Sequence, residues 1–234
     1  MTSIGATKRY LLDKELRPYC LLEDDLLSTD FHNLGVDTVI EDDDGGRGPN
    51  CVLVGLAPSK FNYDNLNTAY RLLNRLSIKD DKQRQEDVGS DQHQQQSQET
   101  PRPPPRLIVI HRATHYRDSD HELSLGPGGF ISLLERASGV AAHVVGKPSV
   151  SFYHEALSYL GITDPAHAIM VGDDVVGDIG GALKAGLGSA ILVKTGKYVS
   201  GDESGRKTDG VMPTLTVNSI VEAVDFICSQ ILSE

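Results

Sequence analysis

The stretch Ala168–Val193, AIMVGDDVVGDIGGALKAGLGSAILV, constrains the fold more than any other part of the chain. Ala168-Ile169-Met170-Val171 is an unbroken apolar run, the pattern of a strand buried on both faces of a parallel sheet. Gly172 ends it, and Asp173, Asp174 and Asp178 follow at once. Ile179 to Ala185 is compact and mostly helix-compatible, and Gly186 stands where a C′ glycine would close that helix. Ser189 to Val193 is a second apolar run. The pattern predicts a strand–helix–strand unit with carboxylates at the carboxyl end of its first strand, the edge where open α/β sheets place ligands. Carboxylates gathered there are hard oxygen ligands of the kind Mg²⁺ accepts. The plain alternative is that the acidic triplet is solvated charge favourable to a helix N-terminus.

Composition narrows the choice of partners. A formal charge of −11 over 234 residues counts against binding nucleic acid or an anionic membrane, since both need clustered Lys and Arg. No apolar run approaches the length of a membrane span, and MTSIGATKRY lacks the apolar core of a secretory signal. Cys20, Cys51 and Cys228 are odd in number and far apart, which fits neither a disulfide framework nor a metal knuckle. A reducing compartment, the cytoplasm, is expected.

Taken in order, the chain alternates helix and strand. Thr2–Leu16 reads as a short helix ended by Arg17-Pro18. Tyr19–Leu22, Cys51–Leu56 and Leu107–Ile110 read as strands, with Val36–Ile40 a strand or part of a loop. Leu66, Ala69, Tyr70, Leu73 and Leu76 form a helical stripe within Tyr63–Leu76, and Gly129–Ala137 reads as a helix. This is an α/β pattern. Ile78–Arg106 stands apart: DDKQRQEDVGSDQHQQQSQETPRPPPR has almost nothing that could build a core and is expected to be a disordered Gln- and Pro-rich insert. Pro101 and Pro104 have the PxxP spacing of an SH3-type ligand, a minor alternative to plain linker.

A second stretch sharpens the reading of the acidic triplet. Val144-Val145-Gly146-Lys147-Pro148-Ser149 precedes Phe152, Ala156, Leu157 and Leu160, spaced for one apolar helical face. A Gly-Lys-Pro turn before a helix that leads into a GDxxxxD strand resembles motifs III and IV of the haloacid dehalogenase (HAD) superfamily. Val193-Lys194-Thr195-Gly196-Lys197-Tyr198 is similar to the loop that follows in its capped phosphatases. Arg17-Pro18, Gly55-Leu56-Ala57-Pro58, Asn67–Leu73, Leu107–His111 and Leu125-Gly126-Pro127-Gly128 extend the resemblance through nearly the whole chain.

The resemblance implies a HAD-like Rossmannoid core, of which residues 143–234 are the C-terminal half. It implies an inserted C2-type α/β cap over 17–142, interrupted by the insert at 78–106, with 1–16 a remnant linker helix. It implies a Mg²⁺-dependent phosphatase acting on a small phosphorylated substrate or a phosphoprotein, through an aspartyl-phosphate. By motif match, Lys147 neutralises the nucleophile and the transferring phosphoryl group, and Asp173 is the direct metal ligand. Asp174 and Asp178 hold metal-bound water or orient the Lys and the metal. Self-association is left open.

The superfamily's nucleophilic Asp and its phosphate-binding Ser or Thr would precede the segment that Met1-Thr2-Ser3 resembles. The expectation is therefore a shortened chain with little or no turnover. The alternatives are a catalytically inactive binding or regulatory module, or a core completed by another polypeptide. Val39–Gly46, VIEDDDGG, superficially resembles a strand running into DxDG. Asp37 interrupts its lead-in, and the Thr usual after the Gly is absent, so an Asp- and Gly-rich turn is expected there. Asp24-Asp25 lacks the DxD spacing. His111 and His115 are flanked by strand and loop residues and are expected to be structural or exposed.

Overall fold

The computed structural model describes residues 2–31, 48–90, 106–120 and 122–231. Val36–Ile40, the acidic run Glu41–Asp44 and Pro101–Pro104 lie outside the described residues. The chain divides into two compact units, residues 2–145 and 146–234.

The first unit is a parallel sheet between helices. Helix α1 (Ser3–Asp13) starts at Thr2, whose hydroxyl accepts the Gly5 amide, an ordinary N-cap. Strand β1 (Pro18–Leu21) follows, then α2 (Asp24–Thr29), β2 (Cys51–Val54) and the long α3 (Tyr63–Ser90). Then come β3 (Leu107–Val109), a hairpin of β4 (His115–Arg117) and β5 (Leu123–Leu125), α4 (Gly128–Ser138) and β6 (Ala142–Val144). The four-stranded sheet runs β1-β2-β3-β6, all parallel, with Leu107 opposite Val52 and Ala142 opposite Leu107.

Side-chain alternation assigns the two faces. Tyr19, Leu21, Val52, Val54, Leu107 and Val109 point one way and pack on Ala69, Leu72, Leu73 and Leu76 of α3 and on Ile131 and Leu134 of α4. The other face carries buried Cys20, Leu53 and Ile108. There Tyr10 of α1 stacks on His143 of β6, ring centroids 4.7 Å apart. The strands are almost continuously apolar because both faces are covered. The hairpin closes onto α4 through Gly126 and Gly128. A Cβ at Gly126 would run into the Ala113 carbonyl oxygen, and one at Gly128 into those of Arg112 and Ala113.

Helix α3 corrects one expectation. The stretch from Ile78, read as the start of a disordered insert, is helical as far as Ser90. Lys79, Lys82, Gln83, Arg84, Gln85 and Glu86 cannot build a core, but each is a strong helix former, and no Pro or Gly intervenes before Gly89. A helix begun by the buried stripe therefore propagates at little cost. Residues 91–105 lie outside the described residues.

The second unit holds α5 (Val150–Tyr159), β7 (Ile169–Gly172), a π-helical turn (Val175–Gly180), α6 (Gly181–Lys184), β8 (Ser189–Val193), β9 (Leu215–Val217) and α7 (Ile220–Ile231). Its sheet is parallel with order β7-β8-β9, Ile169 pairing with Ser189 and Ile191 with Leu215. The two apolar runs of the strand–helix–strand unit are thus adjacent parallel strands. Ile191, Val193 and Ala223 form its small core with Val171, Leu215, Val217 and Ile227.

Two details differ from expectation. The crossover is shorter as α-helix than Ile179–Ala185, because its first turn is a π-turn; it still ends at Gly186, with φ +86°. And β7 is not buried on both faces: Ile169 is 47% exposed. Among the described residues, β7 pairs only with β8, so it is an edge strand. No helix among the described residues is long and apolar enough to cross a membrane.

Candidate functional site

The site lies within the second unit, at the carboxyl end of β7. The strand stops at Gly172, and the chain then turns through Asp173 and Asp174 into the π-helical turn. Asp174 caps that turn: its Oδ1 accepts the amides of Val176 (3.1 Å) and Gly177 (2.8 Å). π-turns are rare and recur at functional sites. Here the Ile179 amide reaches back to the Asp174 carbonyl, while Asp178 reaches the same oxygen at 2.7 Å.

The widened turn carries Asp178 inward. Its side chain is buried, with Oδ1 2.6 Å from the Lys147 ammonium and Oδ2 accepting the Asp174 amide at 3.2 Å. Gly172 leaves the room for it; a Cβ there would overlap the Asp178 carboxylate. Lys147 stands before α5, and its peptide bond to Pro148 is cis. Tyr153, on the first turns of α5, donates its hydroxyl to the Gly177 carbonyl and lies 3.2 Å from that of Asp178. That contact ties α5 to the π-turn and so sets Lys147 against Asp178. Burial raises the Tyr153 phenol well above its ordinary range, and the charges of Asp178 and Asp174 raise it further, so it serves as a donor.

A loop from the end of β8 completes the arrangement. Lys197 donates its amide to Asp173 Oδ2 at 3.1 Å, and its ammonium pairs with Asp174 Oδ2 at 3.0 Å. Burial works to raise the Asp174 carboxyl. The Gly177 amide, the Lys197 ammonium and the Val176 amide outweigh it and hold the group below the usual carboxylate range.

The residues singled out in the sequence thus fall into two linked groups. Lys147 meets Asp178, Asp173 and Asp174 meet Lys197, and the Asp174 amide joins the groups through Asp178. Lys197 was not among the residues assigned a role from sequence. Its only signal was its place in the loop after the second apolar run. His111 accepts the Ala113 amide, and His115 Nδ1 lies 3.0 Å from the Thr114 hydroxyl. Both sit in the first unit, away from the acidic triplet in sequence and outside the unit that holds it. Glu41–Gly46 lies outside the described residues.

The donor set bears on a metal. No group of three or more His, Cys, Asp or Glu side chains placed to hold a metal occurs among the described residues. Asp178 is turned toward Lys147, which leaves Asp173 and Asp174. Two carboxylates suit Mg²⁺, which usually binds through one or two and takes water and phosphate oxygens for the rest.

The profile of the HAD-hydrolase-like family matches residues 144–223, the span that holds Lys147, all three aspartates and Lys197. Haloacid dehalogenase-like hydrolase domain-containing protein 2 from Homo sapiens is 38% identical over 231 residues, covering 99% of this chain and 72% of its own length. Phospholysine phosphohistidine inorganic pyrophosphate phosphatase from Xenopus laevis is 35% identical over 222 residues, 95% of this chain and 66% of its own length. Among solved structures, p-nitrophenyl phosphatase from Archaeoglobus fulgidus superposes with a TM-score of 0.69 at 22% identity, covering 95% of this chain and 72% of that one. That likeness supports the α/β Rossmannoid fold. With the sheet edge, the GKP turn and the GDxxxxD strand in place, the chain belongs to the haloacid dehalogenase-like hydrolase superfamily.

Proposed function

We propose that this chain contributes the electrostatic half of a Mg²⁺-dependent phosphatase site, with its first unit a cap of the C2 type. The observation that carries the reading is the Lys147–Asp178 pair of 2.6 Å at the sheet edge where Asp173 follows β7. Lys147 would face the transferring phosphoryl group as a point charge. Its side chain is 39% exposed, so it can be reached, while Asp178 fixes its direction from below. Asp173 and Asp174 would hold the metal, which when bound neutralises charge on the phosphoryl oxygens. Tyr153 holds the turn that carries Asp178. Three free cysteines, two of them buried, support a reducing compartment, and we place the protein in the cytoplasm.

Phosphoryl transfer in this superfamily also needs an aspartate nucleophile, and each of the three aspartates at this edge is already engaged. Asp178 is bound to Lys147, and Asp173 and Asp174 to Lys197. We therefore propose that residues 1–234 alone release phosphate negligibly. A chain preceded by a strand bearing the superfamily's nucleophilic Asp would become active.

The test is phosphate release from p-nitrophenyl phosphate with and without Mg²⁺, for both chains. The expected outcome is turnover in the longer chain only, reduced on the order of 10²–10³-fold by Lys147→Ala and lost with Asp173→Asn. Mg²⁺-dependent turnover by residues 1–234, abolished by Asp42→Asn, would refute the reading and place the nucleophile in the acidic run at Glu41–Asp44.

A further inference from the structure

We propose that Lys197 is a positioning residue that acts as the resident counter-cation of Asp174, so that a divalent metal must displace it to use that carboxylate. The inference rests on the assignment of Asp173 and Asp174 to the metal. The Lys194–Tyr198 loop leaves the carboxyl end of β8, and β8 lies beside β7 in parallel register, with Leu192 opposite Gly172. The register therefore delivers Lys197 to the sheet edge that carries the aspartates. Gly196 lets the loop close: its φ is +43°, and a Cβ there would overlap Asp173 Oδ2.

One residue then addresses both carboxylates, its amide on Asp173 and its ammonium on Asp174. Asp174 Oδ1 is taken by two backbone amides, so Oδ2 is the oxygen left for a cation, and the ammonium sits on it. The two lysines at this edge are not equivalent. Lys147 is matched to a carboxylate only 6% exposed, whereas Asp174 is 31% exposed and the Lys197 side chain 57%, so Lys197 can turn into water and leave a carboxylate that solvent reaches. A dication entering at Asp174 meets the ammonium as a like charge. Removing the ammonium leaves neighbouring carboxylates unneutralised and raises their attraction for a dication.

The sign separates this role from a merely structural one. A lysine that only braced the loop would weaken metal binding when lost; a counter-cation strengthens it. The measurement is Mn²⁺ affinity of the full chain by electron paramagnetic resonance. We expect Lys197→Met to tighten binding about two- to fivefold, the range of one exposed ion pair. Lys197→Arg should match the parent. Lys194→Met, which removes a charge from the same loop near the Tyr198 ring, should leave affinity unchanged. Equal or weaker binding by Lys197→Met, or equal tightening by Lys194→Met, overturns the proposal. Absence of Mn²⁺ binding in both the parent and Lys197→Met overturns it too. Asp173→Asn tells the two failures apart: binding at full strength in that variant refutes the metal assignment itself. Lost binding there, with no tightening in Lys197→Met, refutes only the role of Lys197.

Discussion

Asp178 reaches Lys147 only because Gly172, at the end of β7, has no side chain. A methyl group there would meet the Asp178 carboxylate and its Cβ rather than the tip of a flexible chain. Asp178 is held by Lys147 and by the Asp174 amide, so it has nowhere to retreat. Gly172→Ala is expected to cost about 1–3 kcal/mol, the range for overpacking a filled site, read as a lower urea midpoint. Gly129→Ala is the contrast: it lies in α4 with nothing within 4 Å of its added Cβ. That change should be neutral or stabilising by up to about 1 kcal/mol. Equal midpoints for the two variants would show that the Gly172 contact carries no strain. The two glycines look alike in sequence, and only the packing around them separates their effects.

Elements were legible where burial writes a pattern and obscure where it does not. Strands β1, β2, β3, β7 and β8 stand out as apolar runs, and the α3 stripe as i, i+3, i+4 spacing; β6 and β9 do not, being three residues long with His143 or Thr216 at the centre. The far half of α3 is hidden in the sequence because its composition argues against a core while its residues favour helix, and lack of a core does not prevent a helix from propagating. The β4–β5 hairpin was missed. Its strands have three residues each, and its turn is organised by Asp118, which accepts the hydroxyls of Tyr116 and Ser124, a contact no periodicity announces. Lys197 was passed over because nothing local tells a loop lysine that its partner lies 23 residues upstream.

The α1–β6 contact has a consequence with pH. Burial of His143 against Tyr10 pushes its imidazole below the ordinary value of 6.5. The unfolded chain therefore takes up this proton at a higher pH than the folded one. Stability is full above 6.5 and falls as pH drops below it, until the folded imidazole itself protonates. His143→Phe keeps the ring stack and removes the titration. The difference in thermal midpoint between pH 7.5 and pH 5.5 should shrink in that variant; an unchanged difference would assign the acid sensitivity elsewhere.

At the scale of the whole molecule, each unit has its own sheet and its own core, but they are unequally enclosed. Among the described residues, the first unit covers both faces of four strands, whereas the second rests on a three-stranded sheet with β7 at its rim. The sequence could say that Ile169 belongs to an apolar strand. It could not say whether that strand is central or at an edge, since both read as the same short run. Ile169→Lys puts a charge on this rim at a side chain that packs little. The parent chain is expected to associate with rising concentration, read by light scattering, and Ile169→Lys to suppress it, with stability changed by less than about 0.5 kcal/mol. Persistence of the same association would mean that another surface is responsible. Inside a cell, an unpaired strand rim is a handle for chaperones and proteases, which sort chains by what they expose. The lifetime of this polypeptide would then be set at Ile169–Gly172: whichever strand pairs there decides how much of the protein a cell keeps.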